Sequence, residues 1–130
     1  MAKLFVSYHH KDESYKNLLK AWSANDNGHF DIKFDDTSVG VSINSENATY
    51  IKSVIKTKIK ESPDFLCLIG KDTHKSDWVA WEIDTAVDLK KNIIAVKIDN
   101  GNTAPSNILG VGASWAKSFT YDSIKKAIDD

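Results

Sequence analysis

The chain has 130 residues, enough for one domain with a substantial buried core and too few for two. Hydrophobic residues make up 42% of it and charged residues 27%, which excludes a disordered or fibrous protein. The net charge is −1 and the basic side chains are spread along the chain, which excludes the basic footprint of a nucleic-acid-binding protein.

The basic residues, the single cysteine and the apolar segments restrict the class of protein further. All 17 cationic side chains are lysines, so a planar bidentate clamp on phosphate is not available. The single cysteine, Cys67, lies in the apolar run FLCLI and is expected to be a buried, unreactive thiol. The N-terminal residues turn polar after Val6, and no stretch reaches the length of a membrane span. We therefore expect a cytoplasmic protein that does not bind membranes.

The first predicted elements are a strand, a helix and a second strand. Residues 4–7 form a short apolar run that is typical of a strand buried on both faces. A helix follows, which Asp12 can cap, and its inner face is predicted to carry Tyr15, Leu18, Leu19 and Trp22. Residues 30–35 (FDIKFD) alternate apolar and charged side chains, as an edge strand with one solvated face does.

Helices and buried strands alternate through the rest of the chain. A second helix is predicted from the spacing of Ala48, Ile51, Ile55 and Ile59. The apolar runs over residues 65–69 and 93–96 predict buried strands. A third helix is predicted between them over residues 77–91, with an inner face of Val79, Ile83 and Ala86 or Val87. Residues 99–117 are interpreted as a loop with room for a short helical turn, and Trp115 as a core residue before the final strand. A last helix begins near Asp122 or Ser123 and buries Ile124, Ala127 and Ile128.

This alternation predicts the fold class and the position of a ligand site. We expect a single α/β domain over residues 1–130, with helices on both faces of a doubly wound, five-stranded parallel sheet in the flavodoxin-like order 2-1-3-4-5. Ligands bind such three-layer α/β/α domains beyond the carboxyl ends of the strands, at the switch point between strands one and three. The loops over residues 7–12, 36–44 and 70–77 are expected to meet there.

The third predicted helix carries the main catalytic candidate, Glu82. Trp78 and Glu82 are four residues apart and share one helix face. A carboxylate shielded by an indole suits a stacked nucleotide cleaved at its sugar, because it stabilises the positive charge that develops on the ribose. The alternative is structural, since a lone glutamate on an amphipathic helix is more often solvated and a tryptophan more often packed.

The loops after the first two strands supply the other candidate residues. Ser7, Tyr8 and His9 can contact a ribose or diphosphate, and the alternative is that they cap a turn and pack against a helix. Asp36 can border the ribose. His9 and His10 have no further His or Cys at ligand spacing, so no metal site is predicted.

A phosphorelay receiver domain has the same order of strands and is a weaker alternative. Asp35 and Asp36 resemble its acidic pair. The acceptor aspartate would have to be Asp72, which is displaced past the end of the third strand. The receiver interpretation is therefore not favoured.

Three stretches of the sequence carry a family resemblance. Residues 5–12 (FVSYHHKD) combine a strand ending in Ser-Tyr with an acidic residue that opens a helix, and residues 35–43 (DDTSVGVSI) contain an Asp…Gly…Ile loop. Residues 62–83 run from the third strand through a Ser-x-Trp-x-x-x-Glu signature. In this order they resemble the boxes of TIR domains, specifically the TIR-like family typified by the B protein of Thoeris antiphage systems.

The match in the third box includes the residues of functional interest. Ser76, Trp78 and Glu82 match the family signature directly, whereas Val79 and Ile83 replace its usual Cys and Leu. The replacements keep apolar contacts on the buried side. Many TIR domains carry a basic residue in the second-box loop, whereas residues 37–44 (TSVGVSIN) are uncharged here, which puts the family's usual TIR–TIR contacts in doubt.

The resemblance implies an enzyme acting on nicotinamide dinucleotide. Enzymatic TIR domains cleave nicotinamide from NAD with the glutamate that corresponds to Glu82, and Thoeris-type members are similar to cyclases that make a signalling nucleotide for a separate effector protein. In this family NAD is a substrate, so no cofactor is expected. The resemblance also implies that Trp78 stacks on a base of the substrate and that activation can involve a homo-oligomer. The alternatives are a non-catalytic TIR-like interaction module and a nucleoside transferase.

Overall fold

The computed structural model of the protein describes residues 2–25, 30–33 and 47–129. In these ranges five strands alternate with four α-helices. The strands are β1 (Ala2–Ser7), β2 (Phe30–Lys33), β3 (Asp64–Ile69), β4 (Asn92–Lys97) and β5 (Ser114–Ala116). The helices are α1 (Glu13–Asn25), α2 (Ala48–Glu61), α3 (Asp77–Asp88) and α4 (Tyr121–Asp129). None of the helices in these ranges combines the length and hydrophobicity that crossing a bilayer requires.

The strands form one parallel sheet in the order β2-β1-β3-β4-β5. Strand β1 pairs with β2 on one side and with β3 on the other, so successive crossovers proceed in opposite directions from β1. A crevice opens at such a switch point, beyond the carboxyl ends of the strands. The predicted α/β class with a parallel sheet is confirmed.

Two apolar layers hold the helices on the sheet. Because successive strand residues point to opposite faces, Leu4 and Val6 enter one layer and Phe5 the other. The first layer, called the α1/α4 layer here, also contains Leu19, Ile124, Ala127 and Ile128. The second, the α2/α3 layer, contains Ile55, Ile59, Val79, Ile83 and Ala86. The predicted inner faces of α2, α3 and α4 therefore do line the core.

The inner face of α1 is narrower than predicted. Leu19 is fully buried and Trp22 packs partly against the α1/α4 layer, as predicted, but Tyr15 and Leu18 are 38% and 42% exposed. Lys16 is 4% exposed instead, and its ammonium lies 5.6 Å from the centroid of the Tyr8 ring. The methylene stem of a lysine can cover apolar surface, which a hydrophobic pattern cannot reveal.

The start of this helical segment also differs from the prediction. A 3₁₀ turn (His10–Asp12) precedes α1, and the capping side chain is that of His9, whose Nδ1 accepts a hydrogen bond from the backbone N–H of Lys11 at 3.2 Å. His9 thus caps the 3₁₀ turn, and the carboxylate of Asp12, the residue directly before α1, points to the loop after β3.

The predicted loop over residues 99–117 contains the expected short helical turn, a 3₁₀ turn (Ser106–Ile108), and also β5, which was not expected within it. Trp115 lies in that strand rather than before it and packs partly against the α2/α3 layer. A three-residue strand after glycines with positive φ (Gly110, 73°; Gly112, 76°) carries too short an apolar pattern to be recognised.

Candidate functional site

Glu82 is buried on the sheet-facing side of α3, with 4% of its surface exposed. The helix is fixed at its start by Ser76, whose hydroxyl accepts a hydrogen bond from the backbone N–H of Val79 at 3.2 Å. Val79 and Ile83 then anchor the same face in the α2/α3 layer. Capping and packing together direct a carboxylate into the protein, where it requires hydrogen-bond partners.

A buried hydrogen bond connects this carboxylate to the end of β1. The Ser7 hydroxyl donates to Glu82 Oε1 at 2.7 Å, across 75 residues of sequence. Ser7 is 1% exposed and pairs with Cys67 of β3 in the sheet. The bond therefore lies where β1 and β3 run side by side toward the switch point.

Cys67 lies beneath this site and stays protonated. Its burial, followed by the nearby charges of Glu82 and Asp12, raises the pKa of the Cys67 thiol well above its usual range. A thiol that cannot ionise is neither a nucleophile nor a metal ligand at neutral pH. The predicted burial of Cys67 is confirmed.

Trp78 lies one turn before Glu82 on α3 and is half-buried. Its ring meets that of Trp81 edge to face, with centroids 6.0 Å apart and an interplanar angle of 86°. Part of the Trp78 side chain packs against the α2/α3 layer. Packing therefore accounts for part of the indole, and its predicted contact with a base stays a prediction.

The other residues predicted to bind substrate do not gather around Glu82 in the described part of the chain. Tyr8 packs partly against the α1/α4 layer, on the face of the sheet opposite to α3. His9 caps the 3₁₀ turn and stacks on His10, with ring centroids 4.3 Å apart. Burial, and then the charge of His10, lowers the pKa of His9. Asp36 lies outside the described residues. The structure thus brings Ser7 to Glu82 and places Tyr8 and His9 elsewhere in the same loop.

A second polar cluster at the ends of β1 and β3 was not recognised in the sequence. Gly70 donates its backbone N–H to Thr73 Oγ1 at 2.7 Å, and that hydroxyl lies 3.5 Å from Asp12 Oδ2. The Asp12 carboxylate is so close to Gly70 that a Cβ at residue 70 would overlap it. Burial raises the pKa of Asp12. A glycine directly after a strand, with a hydroxyl residue three positions later, was the available signal.

An ion pair adds to this connection between the two loops. Lys11 Nζ lies 3.0 Å from Asp72 Oδ2, and Lys75 Nζ lies 3.8 Å from Asp72 Oδ1. The hydrogen bond from Lys11 lowers the pKa of Asp72. This aspartate, the residue that a receiver domain would phosphorylate, is thus held between two lysines. Over the described ranges, no group of three or more His, Cys, Asp or Glu side chains could hold a metal ion.

Together these features define a doubly wound α/β domain with a buried, serine-bound glutamate at its switch point. Residues 5–103 match the family described as Thoeris protein ThsB, TIR-like domain. The chain belongs to this family, which confirms the resemblance seen in the three sequence boxes.

Solved structures show the same fold at low sequence identity. A 2-deoxyribosyltransferase from the psychrotolerant bacterium Bacillus psychrosaccharolyticus is similar with a TM-score of 0.65 and 17% identity, over 91% of this chain and 88% of that one. The TIR domains of the activated Roq1 resistosome, which directly recognises the pathogen effector XopQ, are similar with a TM-score of 0.50 and 15% identity, over 77% of this chain and 60% of that one. No curated protein matches the sequence significantly.

Proposed function

We propose that this domain cleaves NAD, releases nicotinamide and closes the ADP-ribose unit into a cyclic nucleotide that activates a separate effector in Thoeris antiphage defence. The observation that carries the proposal is the buried Glu82 carboxylate, bound by Ser7 at 2.7 Å beside the switch point. Membership of the ThsB TIR-like family supports the biological setting.

Glu82 would act on the charge that develops at the ribose. As the N-glycosidic bond breaks, its electron pair moves to the pyridinium nitrogen, so nicotinamide leaves as a neutral molecule and needs no proton. The ribose becomes positively charged, and a carboxylate already fixed in low-dielectric surroundings stabilises that charge without reorganising. One buried carboxylate is therefore sufficient for the cleavage step.

Ring closure requires a nucleophile of the adenosine half to attack the same ribose carbon and then lose its proton. That nucleophile must outcompete water, so the crevice has to exclude solvent and hold a folded substrate. Trp78 is proposed to stack on a base, and Tyr8, His9 and Asp36 to contact the ribose or diphosphate. Because the chain has no arginine, lysines, hydroxyls or backbone N–H groups would bind the diphosphate.

The test follows nicotinamide by chromatography and cyclic products by mass spectrometry, in buffer and in extract of phage-infected cells. Glu82→Gln preserves size and removes the charge, and it is expected to lower turnover at least about 100-fold. Glu61→Gln, at an exposed position at the end of α2, is the matched control and should behave as wild type. Equal turnover by Glu82→Gln would remove this residue from the mechanism, and an inactive wild type in both conditions would overturn the enzymatic proposal.

Nucleoside transfer is a second candidate, because one similar structure is named a 2-deoxyribosyltransferase and the same bond type is broken. It predicts exchange between a deoxynucleoside and a free base in the absence of NAD. A purely non-catalytic module instead predicts that Glu82→Gln retains protection against phage. The two assays together separate all three functions.

A further inference from the structure

The hydroxyl of Ser7 uses its one donor on Glu82. A serine hydroxyl has one proton to donate, and here it goes to Glu82 Oε1 at 2.7 Å. With 1% of its surface exposed, Ser7 has almost no area with which to contact a substrate. Its effect on chemistry would therefore be exerted through the carboxylate that it binds.

We propose that Ser7 is a positioning residue, which fixes the Glu82 carboxylate in the orientation that faces the developing ribose cation. This role rests on the proposed NAD cleavage. A glutamate side chain has three rotatable torsions, whereas Ser7 sits on β1, an interior strand paired with β2 and β3. The hydrogen bond connects a side chain with several torsions to a residue that is held in the sheet by its pairing with Cys67 of β3.

The cost of losing this bond follows from geometry. A displacement of about 1 Å in a reacting group can lower a rate about 100-fold, and a hydrogen bond to a charged group contributes more than a neutral one. A residue that only orients the carboxylate should affect kcat and leave substrate binding nearly unchanged. A residue that contacts substrate should alter KM as well.

Kinetics of four variants test the proposal. Ser7→Ala is expected to lower kcat about 10- to 100-fold with KM within about 2-fold of wild type, and Ser7→Thr, which keeps the hydroxyl, should recover part of the loss. Glu82→Asp retracts the carboxylate by one methylene. In that background Ser7→Ala should cost less than about 3-fold, because the bond is already broken. Additive losses in the double variant, or an active Ser7→Ala with normal kcat, would overturn the positioning role.

A second measurement does not depend on turnover. The chain has four glutamates, Glu13, Glu46, Glu61 and Glu82, so carboxyl ¹³C NMR of glutamate-labelled protein gives few signals, and Glu82→Gln identifies one of them. Ser7→Ala should move the Glu82 titration to higher pH, since a donor that favours the charged carboxylate is lost. The Glu61 signal should not move, and circular dichroism checks the fold, with Ser7→Cys replacing Ser7→Ala if that variant fails to fold.

The two measurements separate failure of this inference from failure of the proposed function. An unchanged Glu82 titration refutes the coupling between the two residues. A shifted titration in a protein that releases no nicotinamide, with or without infected-cell extract, refutes NAD cleavage and leaves Ser7 as a structural partner only. An active protein whose Ser7→Ala variant keeps normal kcat refutes the positioning role alone.

Discussion

The carboxylate of Asp12 lies directly against Gly70, in the space that the Cβ of any other residue would occupy. The contact joins the loop after β1 to the loop after β3, and Thr73 supports it from the side through its hydroxyl. Only glycine leaves room for a side chain this close to the backbone. The identity of residue 70 is thus coupled to that of residue 12.

Gly70→Ala is expected to destabilise the protein by about 1 to 3 kcal/mol, because the new methyl group must displace a half-buried carboxylate. Urea denaturation measures the loss. The double variant Gly70→Ala/Asp12→Ala is the control, since removal of the carboxylate opens the space and should return most of the stability. Equal losses with and without Asp12 would show that the methyl group meets something other than this side chain.

The pH dependence of stability should reveal Asp12. Burial raises its pKa above the ordinary value of 3.8, so the folded protein binds this proton more tightly than the unfolded chain does. The stability that the Asp12 carboxyl group contributes is fully present below its ordinary pKa and is lost as the pH rises through its raised pKa in the folded protein. The free energy of unfolding of Asp12→Asn, relative to that of wild type, should therefore increase as the pH is raised from about 3.5 to about 7. Urea denaturation at both pH values measures the difference.

Asp72 is a control for Asp12, because its effect on stability should change with pH in the opposite direction. The hydrogen bond from Lys11 lowers the pKa of Asp72, so its stabilising contribution is present above the ordinary value and is lost as the pH falls through the lowered one. Asp72→Asn should accordingly lose stability relative to wild type as the pH rises. The same trend in both variants would contradict the assignment of burial to Asp12 and ion pairing to Asp72.

Ser76→Ala should weaken the start of α3. The variant loses the side chain that accepts the Val79 N–H, and such losses typically cost about 1 kcal/mol. Ser76→Asp keeps a capping oxygen and should stay close to wild type. Thermal unfolding of the three proteins is the measurement, and a Ser76→Asp variant as unstable as Ser76→Ala would show that the hydroxyl serves another purpose.

The parts of the fold that the sequence predicted well are those with an uninterrupted local pattern. Residues 65–69 and 93–96 lie within β3 and β4, because a strand buried on both faces must be apolar at every position. Strand β5 has three residues and no such run. It exists because β4 offers an edge to pair with, and that is a tertiary cause which local spacing does not contain.

The same distinction separates the predicted from the unpredicted parts of the site. Glu82 is a candidate through the helix face that it shares with Trp78 and through the family signature, and Ser7 through its position at the end of the first strand. Their hydrogen bond spans 75 residues, so it follows from the parallel pairing of β1 with β3 and from the packing of α3, not from either motif. The contact of Asp12 with Gly70 arises in the same way. The prediction for Asp36 concerns a residue outside the described ranges.

Adjacent leucines on α1 test which side chains of that helix face the core. Leu19 is fully buried in the α1/α4 layer, so Leu19→Ala removes core contacts and should cost about 2 to 5 kcal/mol. Leu18→Ala makes the same chemical change at a side chain that is 42% exposed, and should alter stability by about 0.5 kcal/mol or less. Urea denaturation of both variants compares the two positions directly. Comparable losses would place Leu18 on the inner face, as its helical spacing first indicated, and would require that Lys16 turn outward to solvent.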